Sequence, residues 1–157
     1  MLKTHRGLRA IGLLLGVVVL LVLSQAQAYA VSCSTTTASS LDIHAIQSYS
    51  SGTYISPYQG CMVSTTGIVI AVLSDGFYLE NPSSDFDRDT CTSEGIYVYT
   101  PTGVPSNAVL QNSLTVTGMV QSSNSSSHAG SEIYIASPTV GTNVVTAATG
   151  QTLPSAI

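Results

Sequence analysis

The amino-acid sequence predicts a single all-β domain, and two observations support this prediction. The composition favours strands and turns over helices, because Ser, Thr, Val, Gly and Tyr are abundant, Trp is absent and 8% of the residues are charged. Five β-rich runs also follow one another between turn signals. No period of about 20–50 residues recurs, so we do not expect a repeat architecture.

The five strands are predicted at residues 62–73, 76–80, 95–100, 113–121 and 132–137. Gly67 interrupts the first β-branched run, at a position where a glycine usually marks a bulge or a sharp bend. The Asp75-Gly76 pair between the first two runs is a strong hairpin signal. Pro101 ends the third run, and the fourth run alternates apolar and polar positions.

This order of elements predicts an OB-fold, a five-stranded barrel. The first strand is bent, and residues 101–111 supply a short helix or turn between strands 3 and 4. An immunoglobulin-like sandwich needs about seven strands, more than the sequence predicts. Ahead of the strands, residues 41–47 indicate either one short helical turn or an irregular segment.

The first 30 residues have the pattern of a cleaved signal peptide. Three of the four Lys and Arg residues precede an apolar run over residues 10–23, and overlapping small-residue cleavage sites then end at Ala28 and Ala30. The run is shorter than the roughly 20 residues of a membrane span, although an uncleaved anchor is the alternative. We therefore expect cleavage near Ala28 or Ala30 and a secreted or periplasmic protein without membrane attachment.

Cleavage after Ala30 would leave an acidic chain, with Arg88 as its one Lys or Arg residue against eight Asp and Glu residues. Tight binding of nucleic acid by charge alone needs several cations and is therefore not expected. An acidic surface suits a divalent cation or a neutral, hydroxylated ligand. The predicted organisation is a signal peptide (1–30), a flexible linker (31–41), an OB-fold domain (42–141) and a C-terminal tail or truncated linker (142–157).

Six short motifs occur in the order found in a known family. They are IHAIQ (43–47), SPYQG (56–60), TGIV (66–69), GFYLENP (76–82), TSEGIYVY (92–99) and LTVTG (114–118). The series resembles the OB-fold module that precedes the catalytic domain of large secreted bacterial nucleases of the endonuclease/exonuclease/phosphatase type. The resemblance covers residues 43–140 and implies an accessory module that binds nucleic acid or supports a partner nuclease.

The catalytic residues of those nucleases have no counterpart in this sequence. After the leader the histidines are His44 and His128, and no Ser/His/Asp set or His/Glu metal motif is visible. We therefore expect a non-catalytic protein rather than an enzyme. Residues 150–154 look like an exit linker, so an N-terminal fragment of a secreted nuclease is an alternative interpretation.

Tyr78, Tyr97 and Tyr99 are the predicted ligand-binding side chains, together with Arg88. OB-folds bind ligands on the face of strands 2 and 3, where aromatic rings stack on bases or sugars. The predicted ligand is single-stranded nucleic acid, and the alternative is an extracellular glycan or protein, since stacking on a sugar needs no cations. Ordinary surface tyrosines with good β-propensity are the other interpretation.

Residues 81–94 form a polar, acidic loop between the second and third strands, and its Asp85, Asp87 and Asp89 are the predicted Ca²⁺ ligands. Carboxylates at every second position of a loop can present several hard oxygens to one cation. The loop is not an EF-hand, because Thr90 stands where that motif has its glycine. The alternative is a solvated acidic turn that Arg88 partly neutralises.

Three cysteines follow the leader, in what we expect to be an oxidising compartment, and three cannot all pair within one chain. Cys61 opens the first strand and Cys91 closes the acidic loop, so we predict a disulfide between them that leaves Cys33 free or intermolecular. The cysteines and histidines lack the ligand spacing of a zinc site. His44 is predicted to pack or cap the entrance of the barrel.

Overall fold

The structure is a computed structural model that describes residues 31–48, 55–125 and 128–155. The predicted signal peptide lies outside the described residues. The elements are β1 (Ser39–Ser40), α1 (Ile43–Gln47), β2 (Met62–Val72), β3 (Gly76–Glu80), a 3₁₀ turn (Ser83–Asp85), β4 (Gly95–Tyr99), β5 (Ser113–Ser125), β6 (His128–Tyr134) and β7 (Val144–Ala148). No helix in these described segments is long and apolar enough to cross a membrane.

Strands β2 to β6 close into a five-stranded barrel, which confirms the predicted fold class. β2 pairs antiparallel with β3 and β5, β3 pairs with β4, and β5 pairs with β6. A parallel pairing of β4 with β6 completes the ring, in the strand order of an OB-fold. Turns connect β4 to β5, and the described helix, α1, precedes the barrel.

The last two barrel strands are longer than the sequence predicts. β5 continues to Ser125 and β6 runs from His128 to Tyr134, so residues 122–125 and 128–131, predicted to lie between strands 4 and 5, belong to these strands. Their register runs from Ser122 opposite Ser131 to Ser125 opposite His128. Asn and Gly are depleted in strands, so a segment that contains them is not predicted to pair. The structure nevertheless pairs it across the two strands.

The barrel interior is filled by aliphatic side chains and one aromatic ring, and α1 covers one end of it. Ile43 and Ile46, three residues apart on α1, are fully buried in this core. The strand residues of the core are Val63, Val69, Phe77, Leu79, Ile96, Val98, Leu114, Val116, Val120, Ile133 and Val144. The helix contacts β2, β4 and β6 and therefore ties three barrel strands together.

β2 changes its partner at Ile68, next to Gly67. The first part of the strand pairs with β5, the part after Ile68 pairs with β3, and a register shift follows between Val69 and Ala71. The bulge therefore lies just beyond the predicted position. At Gly67 an added Cβ would lie 2.8 Å from Cδ1 of Ile43 and 3.0 Å from Cβ of Leu79. The missing side chain at Gly67 lets α1 approach the barrel.

The segment before α1 is joined to β2. Cys33 forms a disulfide with Cys61, and β1 pairs in parallel with β2. The backbone N–H of Met62 donates to the carbonyl of Ser34 (2.9 Å), and that of Leu41 donates to the carbonyl of Ser64 (3.0 Å). Residues 33–41, predicted to form a flexible linker, thus lie against the first barrel strand.

The predicted Cys61–Cys91 disulfide is wrong. Cys61 bonds Cys33 with the two Cα atoms 5.6 Å apart, and Cys91 is free and exposed at the end of the acidic loop. The physical reason is the β1–β2 pairing, which brings Cys33 beside the start of β2. A two-residue parallel strand in a polar Ser/Thr segment leaves no periodic signal in the sequence.

A final strand, β7, lies within the predicted C-terminal tail. It pairs antiparallel with the first part of β5, and Val144 is buried in the core. The Asn107 amide donates to the carbonyl of Val144 (3.2 Å) and to Oγ1 of Thr146 (3.1 Å). These contacts fasten the segment to the β4–β5 connection.

Removing the Cys33–Cys61 disulfide should lower the free energy of unfolding by about 3–4 kcal/mol, because it closes a loop with a sequence separation of 28. The test compares Cys33→Ser with its parent in a Cys91→Ser background, so that Cys61 has no second partner. Cys91→Ser alone should change stability by less than about 0.5 kcal/mol, since Cys91 is exposed. A Cys61–Cys91 peptide in a non-reducing map would contradict this assignment.

Gly67→Ala should destabilise the fold by about 1–3 kcal/mol, because the new methyl group must displace Ile43 and has no room beside Cβ of Leu79. Gly95→Ala is the matched control: its Cβ would meet only the carbonyl of Leu79 at 3.6 Å, an ordinary contact. Chemical denaturation of both variants measures the difference. Equal stability of the two would show that α1 does not depend on the gap at Gly67.

Candidate ligand-binding site

Four tyrosines form a continuous row across β3, β4 and β6. Tyr78 pairs with Tyr97, and Tyr99 pairs with Tyr134. Ring centroids are 4.9 Å apart for Tyr78 and Tyr97, 6.4 Å for Tyr97 and Tyr99, and 5.9 Å for Tyr99 and Tyr134. These residues alternate with the buried aliphatic residues of the same strands and therefore lie on the outer face of the barrel. We call this set the tyrosine row.

Tyr97 is the buried centre of the row and is only 4% exposed. Its ring lies against Gly76, where a Cβ would overlap the phenol. Its hydroxyl donates to Oδ1 of Asp75 at 2.8 Å. Burial and, next, this hydrogen bond raise the pKa of Tyr97 above its ordinary value. Of the three predicted ligand-binding tyrosines, Tyr78 and Tyr99 are half-buried and present ring surface, whereas Tyr97 supports them.

Carboxylates flank the tyrosine row. Glu132 pairs with Tyr97 across the parallel β4–β6 contact, and Glu80 lies two residues beyond Tyr78 on the same face of β3. Burial and, second, the charge of Glu94 raise the pKa of Glu80. The surface around the rings is therefore acidic.

Arg88 lies in the acidic loop and not on the strands that carry the row. Its backbone has a φ of 61°, a left-handed conformation that is uncommon outside glycine, and its side chain is exposed. Both ion pairs within the described segments involve His44, so Arg88 makes none there.

The carboxylates of Asp85, Asp87 and Asp89 are each used within the loop. Oδ1 of Asp85 accepts from the Ser84 hydroxyl, and Oδ1 of Asp89 accepts from the backbone N–H of Cys91, both at 2.8 Å. Oδ1 of Asp87 accepts from the backbone N–H of Asp89 at 2.8 Å, and this bond in particular lowers the pKa of Asp87. The described structure does not gather the three into one ligand set, and Ca²⁺ binding stays a prediction.

Asp87 instead meets His44 and Glu94. One ligand atom of each residue lies within 4.8 Å of the others. His44 lies on α1, Asp87 lies in the acidic loop, and Glu94 is the residue directly before β4. Nδ1 of His44 lies 3.7 Å from Oε2 of Glu94. We call these three residues the His/Asp/Glu cluster.

Asn81 connects the cluster to the end of β3. Its amide nitrogen donates to Oε2 of Glu94 at 2.7 Å and lies 3.3 Å from Nδ1 of His44. The other oxygen of Glu94 accepts from the backbone N–H of Asp87 at 2.8 Å. Asn81 and Glu94 are 4% and 8% exposed, so the network is buried on the barrel side, whereas His44 is partly exposed and Asp87 is exposed.

Sequence reasoning did not find this cluster. It assigned His44 a packing role and placed the chemistry in alternating loop carboxylates. His44 and Glu94 of the cluster, and Asn81 that contacts them both, come from three separate motifs. A usable signal was present, because the polar residues of the motifs IHAIQ, GFYLENP and TSEGIYVY are the ones that converge. Only the barrel closure shows that these motifs meet at one end.

An open cleft of about 920 Å³ extends from the cluster along the loop. Glu80, Phe86, Asp87, Arg88, Thr92 and Glu94 are among its lining residues. Because Glu80 also flanks Tyr78, the cleft adjoins one end of the tyrosine row. Comparisons with family models, with curated proteins and with solved structures found no match to this chain. The resemblance to the nuclease module therefore stays an expectation.

Tyr97 should make the fold sensitive to alkaline pH. Its pKa is raised in the folded state, so above about pH 10 the unfolded chain loses a proton that the folded protein keeps. The contribution of Tyr97 to the free energy of unfolding is therefore fully present below the ordinary pKa of tyrosine, and it is lost as pH rises above that value. Tyr97→Phe removes this loss, so its free energy of unfolding should fall less steeply between about pH 9 and 11. Parallel pH profiles in urea denaturation would contradict the burial of this phenol.

Proposed function

We propose that this protein is an exported, non-catalytic OB-fold binding module that holds a neutral, hydroxylated extracellular ligand, such as a polysaccharide, on its tyrosine row. One observation carries the proposal: four aromatic rings form a continuous row on the outer face of β3, β4 and β6, and carboxylates flank it. OB-folds bind oligosaccharides and oligonucleotides on this face.

The geometry of the row suits stacking on a chain of sugars. Tyr78 and Tyr99 are half-buried, so each keeps exposed ring surface while its neighbours hold it in place. Tyr97 between them is fixed by its bond to Asp75. A preorganised ring loses little side-chain entropy when a ligand binds. Glu80, which is half-buried beside Tyr78, places a carboxylate acceptor next to the rings for ligand hydroxyl groups.

The charge of the surface favours a neutral ligand over a polyanion. Glu80, Asp75 and Glu132 lie near the rings, whereas Arg88, the one Lys or Arg residue after the leader, lies in the acidic loop. A phosphate backbone is bound by several cationic side chains, which neutralise the phosphates and release their counterions. This face cannot supply several cationic side chains.

Single-stranded nucleic acid is the second candidate, with a role accessory to an extracellular nuclease. The observation in its favour is the same row of rings, because bases stack on aromatic side chains without sequence preference, at about 1–3 kcal/mol per base. Such binding would depend little on salt, since few counterions are displaced.

The test is calorimetric titration with a panel of soluble neutral glycans, beside anisotropy with a short single-stranded oligonucleotide at low and high salt. A glycan should bind, and Tyr78→Ala or Tyr99→Ala should weaken it about tenfold, equivalent to about 1.4 kcal/mol. Arg88→Ala and Val145→Ala serve as controls, since Arg88 lies in the loop and Val145 is exposed on β7.

The outcomes separate the candidates. Binding of the oligonucleotide alone, weakened by the same tyrosine variants, would replace the glycan with nucleic acid. Glycan binding that survives both tyrosine substitutions would place the ligand elsewhere. Absence of binding in every arm would contradict the binding module itself.

A further inference from the structure

We propose that His44, Asp87 and Glu94 bind a divalent transition-metal cation of the Zn²⁺ class. This site differs from the predicted set of loop aspartates, and it is independent of the ligand on the tyrosine row. It combines one imidazole nitrogen with two carboxylates from three separate parts of the chain.

The spacing of the donor atoms fits a single ion after a small movement. Ligand atoms at about 2.0–2.2 Å from zinc lie roughly 3–4 Å from one another. Nδ1 of His44 and Oε2 of Glu94 are already 3.7 Å apart, and the whole set lies within 4.8 Å. Asp87 has to approach by about 1 Å, and it is the exposed member of the set.

The surroundings of His44 aim a lone pair into the cluster. The amide nitrogen of Asn81 is a donor and lies 3.3 Å from Nδ1, which favours the tautomer with its proton on Nε2. Nε2 in turn faces Oδ2 of Asp42 at 3.9 Å. A carboxylate behind the distal imidazole N–H is the usual outer-shell partner of a metal-bound histidine. A bound cation would displace the Asn81 N–H from Nδ1.

The buried carboxylate of Glu94 supplies the second, independent reason. It is 8% exposed, and in the described part of the chain its one cationic partner within ion-pair distance is His44, which is charged only when protonated. Burying a carboxylate is unfavourable unless a positive charge compensates it. A dication between Glu94 and Asp87 compensates both carboxylates while His44 stays neutral.

The donor set selects the class of metal. Ca²⁺ takes six to eight oxygen ligands, whereas a nitrogen with two carboxylates suits Zn²⁺ and its first-row neighbours. Three protein ligands leave coordination positions open toward the cleft beside Asp87.

The experiment uses the purified, chelator-treated protein with Cys91→Ser, because an exposed thiol in the same loop could bind Zn²⁺ by itself. Titration calorimetry with Zn²⁺ should show one equivalent bound, and the melting temperature should rise with Zn²⁺ but not with equimolar Ca²⁺. Tighter binding of Ca²⁺ than of Zn²⁺, or no Zn²⁺ binding, would overturn the proposal.

Asp87→Asn and His44→Gln should each weaken Zn²⁺ binding by at least about 100-fold, more than the loss of an outer-shell partner. Asp85→Asn removes the same charge from the same exposed loop and should leave affinity unchanged within about twofold. Melting curves of the metal-free variants show that each one folds. Affinity that falls equally in all three variants, or in none, would reduce the cluster to a hydrogen-bonded network without a specific ion.

Discussion

The packing of α1 against the end of the barrel is the contact on which the rest of the structure depends. Ile43 and Ile46 enter the core, and Ile43 reaches it because Gly67 has no side chain. The same helix carries Gln47, whose amide donates to the carbonyls of Gly95 (3.0 Å) and Ser131 (3.2 Å). Those carbonyls belong to β4 and β6, the one parallel pair that closes the barrel. A five-residue helix is too short to be stable alone, so tertiary packing holds it in place.

The position of α1 also decides what surrounds Glu94. α1 holds His44 beside Asn81, which places the imidazole next to the buried carboxylate of Glu94. Within the described residues, no other cationic side chain lies within ion-pair distance of Glu94. Asn81 lies directly after Glu80 on β3, and Glu94 directly before Gly95 on β4. β3 therefore ends and β4 begins at the cluster, and the antiparallel register of these two strands fixes the cluster relative to the tyrosine row.

The sequence was most informative where side-chain alternation and turn chemistry act locally. The Asp75-Gly76 turn, the bounds of β3 and the outward face of Tyr78, Tyr97 and Tyr99 follow from residues close in the chain. Local patterns could not show that Gly76 accommodates the ring of Tyr97 and buries it, because that contact crosses strands. The disulfide partner of Cys61 and the pairing of His44 with Glu94 were missed for the same reason: both depend on contacts between segments distant in sequence, the β1–β2 pairing in one case and the packing of α1 on the barrel in the other. The alternating carboxylates of the loop also make local hydrogen bonds that the sequence pattern did not show, since Asp85 accepts from Ser84 and Asp89 from the backbone of Cys91.

The acidic loop therefore has two faces with different physical constraints. On its outer side, Asp89 and Asp87 stabilise the turn by accepting backbone N–H groups. On its inner side, the backbone N–H of Asp87 donates to Glu94, which anchors the loop to a buried carboxylate. A buried anion is a weak source of stability unless its charge is balanced, but it strongly favours one arrangement of its hydrogen-bond donors. The loop conformation, and with it the cleft between Glu80 and Asp87, consequently depends on the hydrogen bonds that Glu94 accepts from Asn81 and from the backbone of Asp87.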